Sequence, residues 1–272
     1  MRLTIITSPF SLDEPGCRGG LGPDALLAAG LVEMLRADGH DVALAERALD
    51  LGAGDARARI GRNGAIVADL VATTRAAGRV PLVLGGDCLV AIGIVAGIRR
   101  ISAGPLALAY FDAHGDFNTP ETSPSGYLPG MPLACVCGRG LDDLRRAAGL
   151  LDPVAEADVS LLGVRDLDPP ERAVLDTTPL RRFEPDQLET FVPLAFPTYL
   201  HIDLDTLDPS LAPGVTHPAP GGLAPAQVVG TARRVPRELA AIAVTTLVPE
   251  RDDGQRTQRS ALEIVRGALA GA

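Results

Sequence analysis

The chain has 272 residues, 46% of them hydrophobic and 22% charged, and a formal net charge of −9. That length suits one large α/β domain or two small ones, and the acidic balance argues against a nucleic-acid partner. No apolar run approaches the roughly 18 residues that a membrane helix needs, and Cys17, Cys88, Cys135 and Cys137 form no disulfide framework for a chain of this size, so a reducing, cytoplasmic setting is expected.

Met1–Ile6 runs straight into a strand-like segment and lacks the long apolar stretch and cleavage site of a signal peptide. The first strand is predicted at Leu3–Thr7. A helix follows over Pro23–Arg36, with Pro23 in its first turn and Gly39 as its stop. A helix over Arg59–Ala77 stops at Gly78 and leads to a strand at Val80–Leu84. Then come a helix over Leu89–Arg99 and a strand at Leu106–Phe111. Cys135 and Cys137, one residue apart with no second pair to match them, read as buried apolar positions. Further strands are predicted at Val159–Leu162, Tyr199–Leu204 and Ile242–Leu247, with helices over Pro225–Glu238 and Arg256–Ala268. The strand runs are mostly continuous rather than alternating, as strands covered on both faces are. The expected fold is therefore α/β, a three-layer α-β-α arrangement with a mainly parallel central sheet. No repeat or long linker divides the chain, so residues 1–272 read as one domain.

Two strand ends are rich in aspartate. Asp112-Ala113-His114-Gly115-Asp116 follows Leu106–Phe111, and His201, Asp203 and Asp205 alternate at the end of the Tyr199 run. Side chains two apart on a strand face the same way, so each set converges on one point. Four carboxylates that close repel unless cations sit among them, and a pair of divalent metals is the simplest neutraliser. The loops Phe117–Pro132 and Pro209–Gly222, rich in Pro, Gly, Ser and Thr, leave these two ends, where α/β sheets carry their chemistry.

Gly85-Gly86-Asp87-Cys88 ends a third strand. Together with Asp-Ala-His-Gly-Asp-Phe-Asn at 112–118, Ser-Gly-Tyr-Leu-Pro-Gly-Met-Pro at 125–132 and Asp-Leu-Asp-Thr-Leu-Asp-Pro at 203–209, it resembles the arginase/agmatinase (ureohydrolase) family in order and spacing. Ser8-Pro9-Phe10-Ser11, Arg18-Gly19-Gly20 and Gly163–Pro169 look like arginase proper. The resemblance covers nearly the whole chain and implies an arginase-like fold, a homo-oligomer (trimer or hexamer) and two Mn²⁺ per chain. In its terms Asp112 and Asp203 bridge the ions. Asp116 and the Cys88 position complete one ion, and His114 and Asp205 the other. A metal-bridging hydroxide would attack a guanidino or amidino carbon, with Asp116 moving its proton to the leaving amine.

The chain departs from the family at the reacting end. Cys88 stands where His is usual; a thiolate is softer and biases the ion toward Zn²⁺, Fe²⁺ or Co²⁺, or else Cys88 does not ligate. Pro129 replaces the proton-shuttling His of arginases. Thr246 stands where arginases pair a Glu with the guanidinium, and Glu250 lies four residues on. His217 and His201 occupy positions usual for Thr and Ser. Either can relay protons, with His201 also read as orienting a carboxylate or the hydroxide.

The other end of an amino-acid substrate looks retained. Asn118 and Ser125 match the residues that hold an α-carboxylate, and Asp168 with Glu171 match those that hold an α-amino group. The expected function is a metal-dependent hydrolase of a C–N bond in an arginine-like amino acid, with Nω-hydroxyarginine a candidate substrate. Arginine, a formimidoyl amino acid, or a non-catalytic arginase-fold protein with a degraded metal site are the alternatives.

Overall fold

A computed structural model describes residues 1–45, 50–236 and 238–270. In chain order its elements are β1 (Arg2–Ser8), β2 (Phe10–Ser11), β3 (Glu14–Pro15), α1 (Gly22–Ala28), α2 (Leu31–Ala37), β4 (Asp41–Leu44), α3 (Ala56–Ala76), β5 (Val80–Gly85), α4 (Val90–Ile101) and β6 (Ala107–Phe111). They continue with α5 (Pro132–Val136), α6 (Asp142–Ala148), β7 (Val159–Leu162), α7 (Pro169–Leu175), β8 (Arg181–Phe183), β9 (Thr198–Asp203), α8 (Pro225–Ala232), β10 (Leu239–Thr245) and α9 (Arg256–Leu269).

Eight strands form one sheet in the order β4-β1-β5-β10-β9-β6-β7-β8, and every pairing in it is parallel. β2 and β3 make a separate small antiparallel pair. Both faces of the sheet are covered. Val83, Leu108, Tyr110, Val159, Tyr199 and Ala243 pack with residues of α3, α4, α5 and α6. Leu82, Ala109, Phe111, Leu200, Ile202 and Val244 pack with residues of α1, α2, α8 and α9. Alternate residues of each strand thus feed opposite cores, which is why the runs are apolar without interruption. On the first face α3 and α4 meet closely: a Cβ on Gly93 would lie 2.5 Å from the Gly64 carbonyl oxygen.

Several predicted bounds change. The helix expected over Pro23–Arg36 is two, α1 and α2, because Gly30 adopts a left-handed φ of 87° between them. Pro23 and Pro225 do fall in first turns, and Gly39 and Gly78 adopt positive φ at helix stops. α8 stops at Ala232, short of the predicted Glu238; the neighbouring Arg237 lies outside the described residues. The last strand begins at Leu239 and ends at Thr245 rather than running over Ile242–Leu247. Cys135 is buried in α5, whereas Cys137 just past its end is only partly buried.

The strand order sets the site. β9 and β10 lie between β5 and β6, so the carboxyl ends of four adjacent strands come from distant parts of the chain. His201 is level with Tyr110 on β6 and Ala243 on β10, and Asp203 is level with Thr245.

Candidate active site

The loop after β5 is clamped before it delivers a functional side chain. Gly86 lies so close to the amino-terminal segment that a Cβ would sit 2.2 Å from the Phe10 carbonyl oxygen. Asp87 accepts from the backbone N–H of Leu12 at 2.6 Å and of Leu89 at 3.0 Å. Cys88, 3% exposed, then projects among the acidic strand ends. Its thiol donates to Asp203 Oδ2 at 2.7 Å.

The strand end of β6 supplies Asp112, His114 and Asp116. The His114 backbone N–H turns onto Asp112 Oδ1 at 2.7 Å, and His114 Nδ1 lies 3.1 Å from Asp205 Oδ2 and 3.4 Å from Asp112 Oδ1. Asp116 adopts a φ of 48°, a left-handed conformation that Asp tolerates better than most residues. It accepts from the Tyr110 hydroxyl at 2.8 Å. From β9, Asp203 Oδ1 accepts from the Asp205 backbone N–H at 2.8 Å and from the Thr246 hydroxyl.

The electrostatics expose a deficit of positive charge. Asp112, Asp116, Asp203 and Asp205 are all buried. Burial, followed by the charges of Asp205 and Asp203, pushes Asp112 well above the usual carboxylate range. Burial and Asp112 do the same to Asp116, and burial and Asp205 to Asp203. Burial alone would lower His114, but its hydrogen bonds to Asp112 and Asp205 outweigh that and push it up to about 12. One imidazolium does not balance four carboxylates, and Asp112 Oδ2 is buried with no hydrogen-bond partner among the described residues. That orphaned oxygen and the ligand groupings Asp112/His114/Asp205, Cys88/Asp112/Asp116 and Cys88/His201/Asp203, each with ligand atoms mutually within 4.8 Å, fit divalent cations. Burial and the neighbouring aspartates raise the Cys88 thiol well above its ordinary range; a bound cation would reverse that.

A cleft of about 220 Å³ opens over these groups. All the substrate-binding candidates line it: Asn118, Ser125, Asp168, Glu171 and Thr246. Asn118 Nδ2 donates to Asp168 Oδ2 at 3.1 Å, and Thr122 donates to Asn118 Oδ1 at 3.0 Å. Glu171 is buried, accepts from the Phe117 backbone N–H at 2.8 Å, and burial pushes its carboxyl up to about 7. Ser125 and Asp168 sit at the exposed rim. Thr246 is buried with a φ of 68°, an uncommon conformation for a β-branched residue. Glu250 is exposed and does not line the cleft.

The two extra histidines lie apart. His217 stands at the mouth, its ring edge-on to Tyr127 at 5.2 Å and to His114 at 6.1 Å. Partial burial and the charge of His114 lower its pKa. His201 lies beneath Asp203, fully buried, and burial lowers it to about 3. Tyr110 stacks on its ring at 3.9 Å.

Sequence reasoning missed Tyr110, Tyr199 and Thr245, which surround His201 and Cys88, and also Tyr127, Ser123 and Asp87, which line the cleft. For Tyr199 a signal existed: it lies two residues before His201, on the same strand face.

A family model described as the arginase family matches residues 1–271. The arginase of Bacillus caldovelox is 36% identical over 246 residues, covering 81% of this chain and 81% of that protein. Arginase-1 of Bos taurus is 34% identical over 251 residues, covering 80% and 76%. The solved structure of arginase from Bacillus cereus superimposes with a TM-score of 0.90 at 29% identity, covering 100% of this chain and 99% of that one.

Proposed function

Because the chain belongs to the arginase family, and is thereby a hydrolase of guanidino or amidino C–N bonds, we propose that its substrate is an α-amino acid with a modified, weakly basic guanidino group, Nω-hydroxyarginine being the best fit. The observation that carries this reading is Thr246. At the reacting end of the cleft a neutral hydroxyl, already donating to Asp203, stands where a carboxylate would be needed to pair a guanidinium. Burying a guanidinium without a partner is costly. Hydroxylation lowers guanidine basicity and removes that need. The other end of the same cleft carries Asn118, Ser125, Asp168 and Glu171, a polar set suited to an α-carboxylate and an α-ammonium.

In this reading Cys88, Asp112, His114, Asp116, Asp203 and Asp205 would hold two divalent ions, Mn²⁺ by family preference. Such ions supply Lewis acidity and make water a nucleophile near neutral pH. The Asp116 carboxylate, oriented by the Tyr110 hydroxyl, receives a proton and carries it toward the leaving amine. His217, at the mouth, exchanges protons between the cleft and solvent. Pro129, buried in the cleft wall, has no group for that work. We extend the proposal to one ureohydrolase domain over residues 1–272 and a homo-oligomer of three or six chains, both by family resemblance, and to a cytoplasmic setting, in keeping with four free cysteines. No described helix is long and apolar enough to cross a membrane.

The experiment is a substrate screen with Mn²⁺ that reads urea, hydroxyurea, formamide and ammonia separately. Hydroxyurea from Nω-hydroxyarginine at a kcat/KM well above that for arginine is the expected result. Preferential urea release from arginine would overturn the substrate, formamide release would point to a formimidoyl amino acid, and no turnover with no metal uptake would overturn the enzyme.

A further inference from the structure

Behind the acidic cluster a buried polar chain leads from Tyr199 through His201 to the metal-ligand candidate Cys88. The Tyr199 hydroxyl lies 2.6 Å from His201 Nδ1. On the far side of the ring, His201 Nε2 lies 3.4 Å from Cys88 Sγ and 3.4 Å from Thr245 Oγ1. Tyr199, His201, Cys88 and Thr245 are each 3% exposed or less. The distances alone leave two arrangements: Nε2 can carry a lone pair toward a metal shared with Cys88 and Asp203, or it can carry the proton.

Two independent constraints choose between them. The first acts at Nδ1. Among the described residues the Tyr199 hydroxyl has no partner except His201. If Nδ1 carried the proton it would donate to the phenol oxygen, and the buried phenol proton would be left without an acceptor, a costly loss. With Tyr199 donating, Nδ1 is the acceptor and a neutral ring carries its proton on Nε2. The second acts at Nε2. The 2.7 Å approach of Cys88 Sγ to Asp203 Oδ2 fits a thiol donating to the carboxylate, which leaves sulfur lone pairs for the ring. A lone pair on Nε2 would meet a lone pair on sulfur; an N–H meets an acceptor. The Tyr199 contact selects the tautomer and the Cys88 contact fits it, while the Tyr110 stack at 3.9 Å and 1° holds the ring in the plane that aims it.

We infer that His201 is held by Tyr199 as the Nε2–H tautomer and donates to the Cys88 sulfur, which makes it a positioning residue for a thiolate metal ligand rather than a ligand or a proton shuttle. With its proton released to solvent, a Cys88 thiolate would lose the hydrogen bond to Asp203 but keep the His201 N–H as a donor, and the Thr245 hydroxyl, 3.4 Å from the sulfur and from Asp203 Oδ2, could add a second. Donors to a ligand atom fix its direction and tune its bond to the metal. The functional half of this inference rests on the reading of Cys88 as a metal ligand; the tautomer does not.

Nitrogen NMR of ¹⁵N-histidine-labelled protein, metal-free and loaded with Zn²⁺, tests the tautomer. The chain has four histidines, and the His201 signals are those lost in His201→Gln. A proton on Nε2 in both states is expected, with the Nδ1–H form gaining population in Tyr199→Phe. A proton on Nδ1 in the parent protein, with Nε2 shifted on metal binding, would make His201 a ligand and overturn the inference.

Co²⁺-loaded protein tests the role. The parent protein should show a thiolate-to-cobalt charge-transfer band that Cys88→Ser abolishes. Tyr199→Phe and His201→Gln should shift that band and weaken binding of the more weakly held ion by about ten- to a hundredfold. A band present in the parent and unmoved in both variants, with affinity unchanged, overturns the positioning role alone. No band in the parent overturns Cys88 as a ligand, and the positioning role with it, whichever tautomer the NMR finds.

Discussion

The Thr246 hydroxyl donates to Asp203 Oδ1 from a backbone held at a φ of 68°. The residue at the reacting end of the cleft is thus tied to a candidate metal ligand. A strained backbone in a β-branched residue persists only where its surroundings hold it, and here the loop after β10 closes the cleft against β9.

Replacing that hydroxyl with a carboxylate should change which head group is accepted. Thr246→Glu supplies a partner for a guanidinium, and the kcat/KM ratio of arginine to Nω-hydroxyarginine should rise about tenfold or more. Steady-state kinetics on both substrates check it. An unchanged ratio, with both activities measurable, would separate Thr246 from specificity.

His217 should carry protons at the mouth of the cleft. His217→Ala should lower kcat about ten- to a thousandfold, with a smaller effect on KM, and added imidazole should restore part of the rate. Unaltered kcat would remove His217 from the reaction and leave its ring as packing for Tyr127.

If Glu171 holds the α-ammonium as proposed, it should link pH to both stability and KM. Burial raises its folded-state pKa to about 7 from the ordinary 4.5, so between those values the folded chain holds a proton that the unfolded chain has released. Its contribution to stability is full below pH 4.5 and falls as pH rises to about 7, by about 3 kcal/mol at most. An α-ammonium needs the ionised carboxylate, so KM should rise as pH falls below 7. Urea unfolding and KM measured across pH 5–8 (about the range in which both effects fall) should show both slopes reduced in Glu171→Gln. Identical profiles in the two proteins would contradict the assignment.

Cys88→His should move the metal site toward harder cations. Mn²⁺ affinity should rise about tenfold or more relative to Zn²⁺, read by competition binding and metal content. If occupancy and selectivity stay as they are, position 88 does not ligate.

Sequence reading goes furthest where a residue's neighbours along the chain are also its neighbours in space. The continuous apolar runs of β1, β5, β6, β7 and β9 reveal buried parallel strands, and the Asp-x-His-x-Asp alternation at 112–116 brings its ligands together on one face. The edge strands β4 and β8 escape notice because they are short and half-exposed, with Asp41, Arg181 and Arg182 among their residues. The break at Gly30 is masked by apolar residues that continue through it. At the site, the setting of Cys88 could not be read, since Thr245 and His201 reach it across 157 and 113 residues of chain. No local pattern encodes the strand order that makes them neighbours.

That strand order has a consequence for biogenesis. Among the described strands of this sheet, β9 and β10 come after all the others along the chain, yet they fill its middle. A nascent chain that has completed β8 carries two part-sheets whose inner edges, β5 and β6, must lie about three strand spacings apart, roughly 14 Å, to receive the missing pair. Until then both edges are open to pairing with other chains. The candidate metal ligands Cys88, Asp112 and Asp203 follow or end strands β5, β6 and β9, so the site comes together only when the two part-sheets are joined.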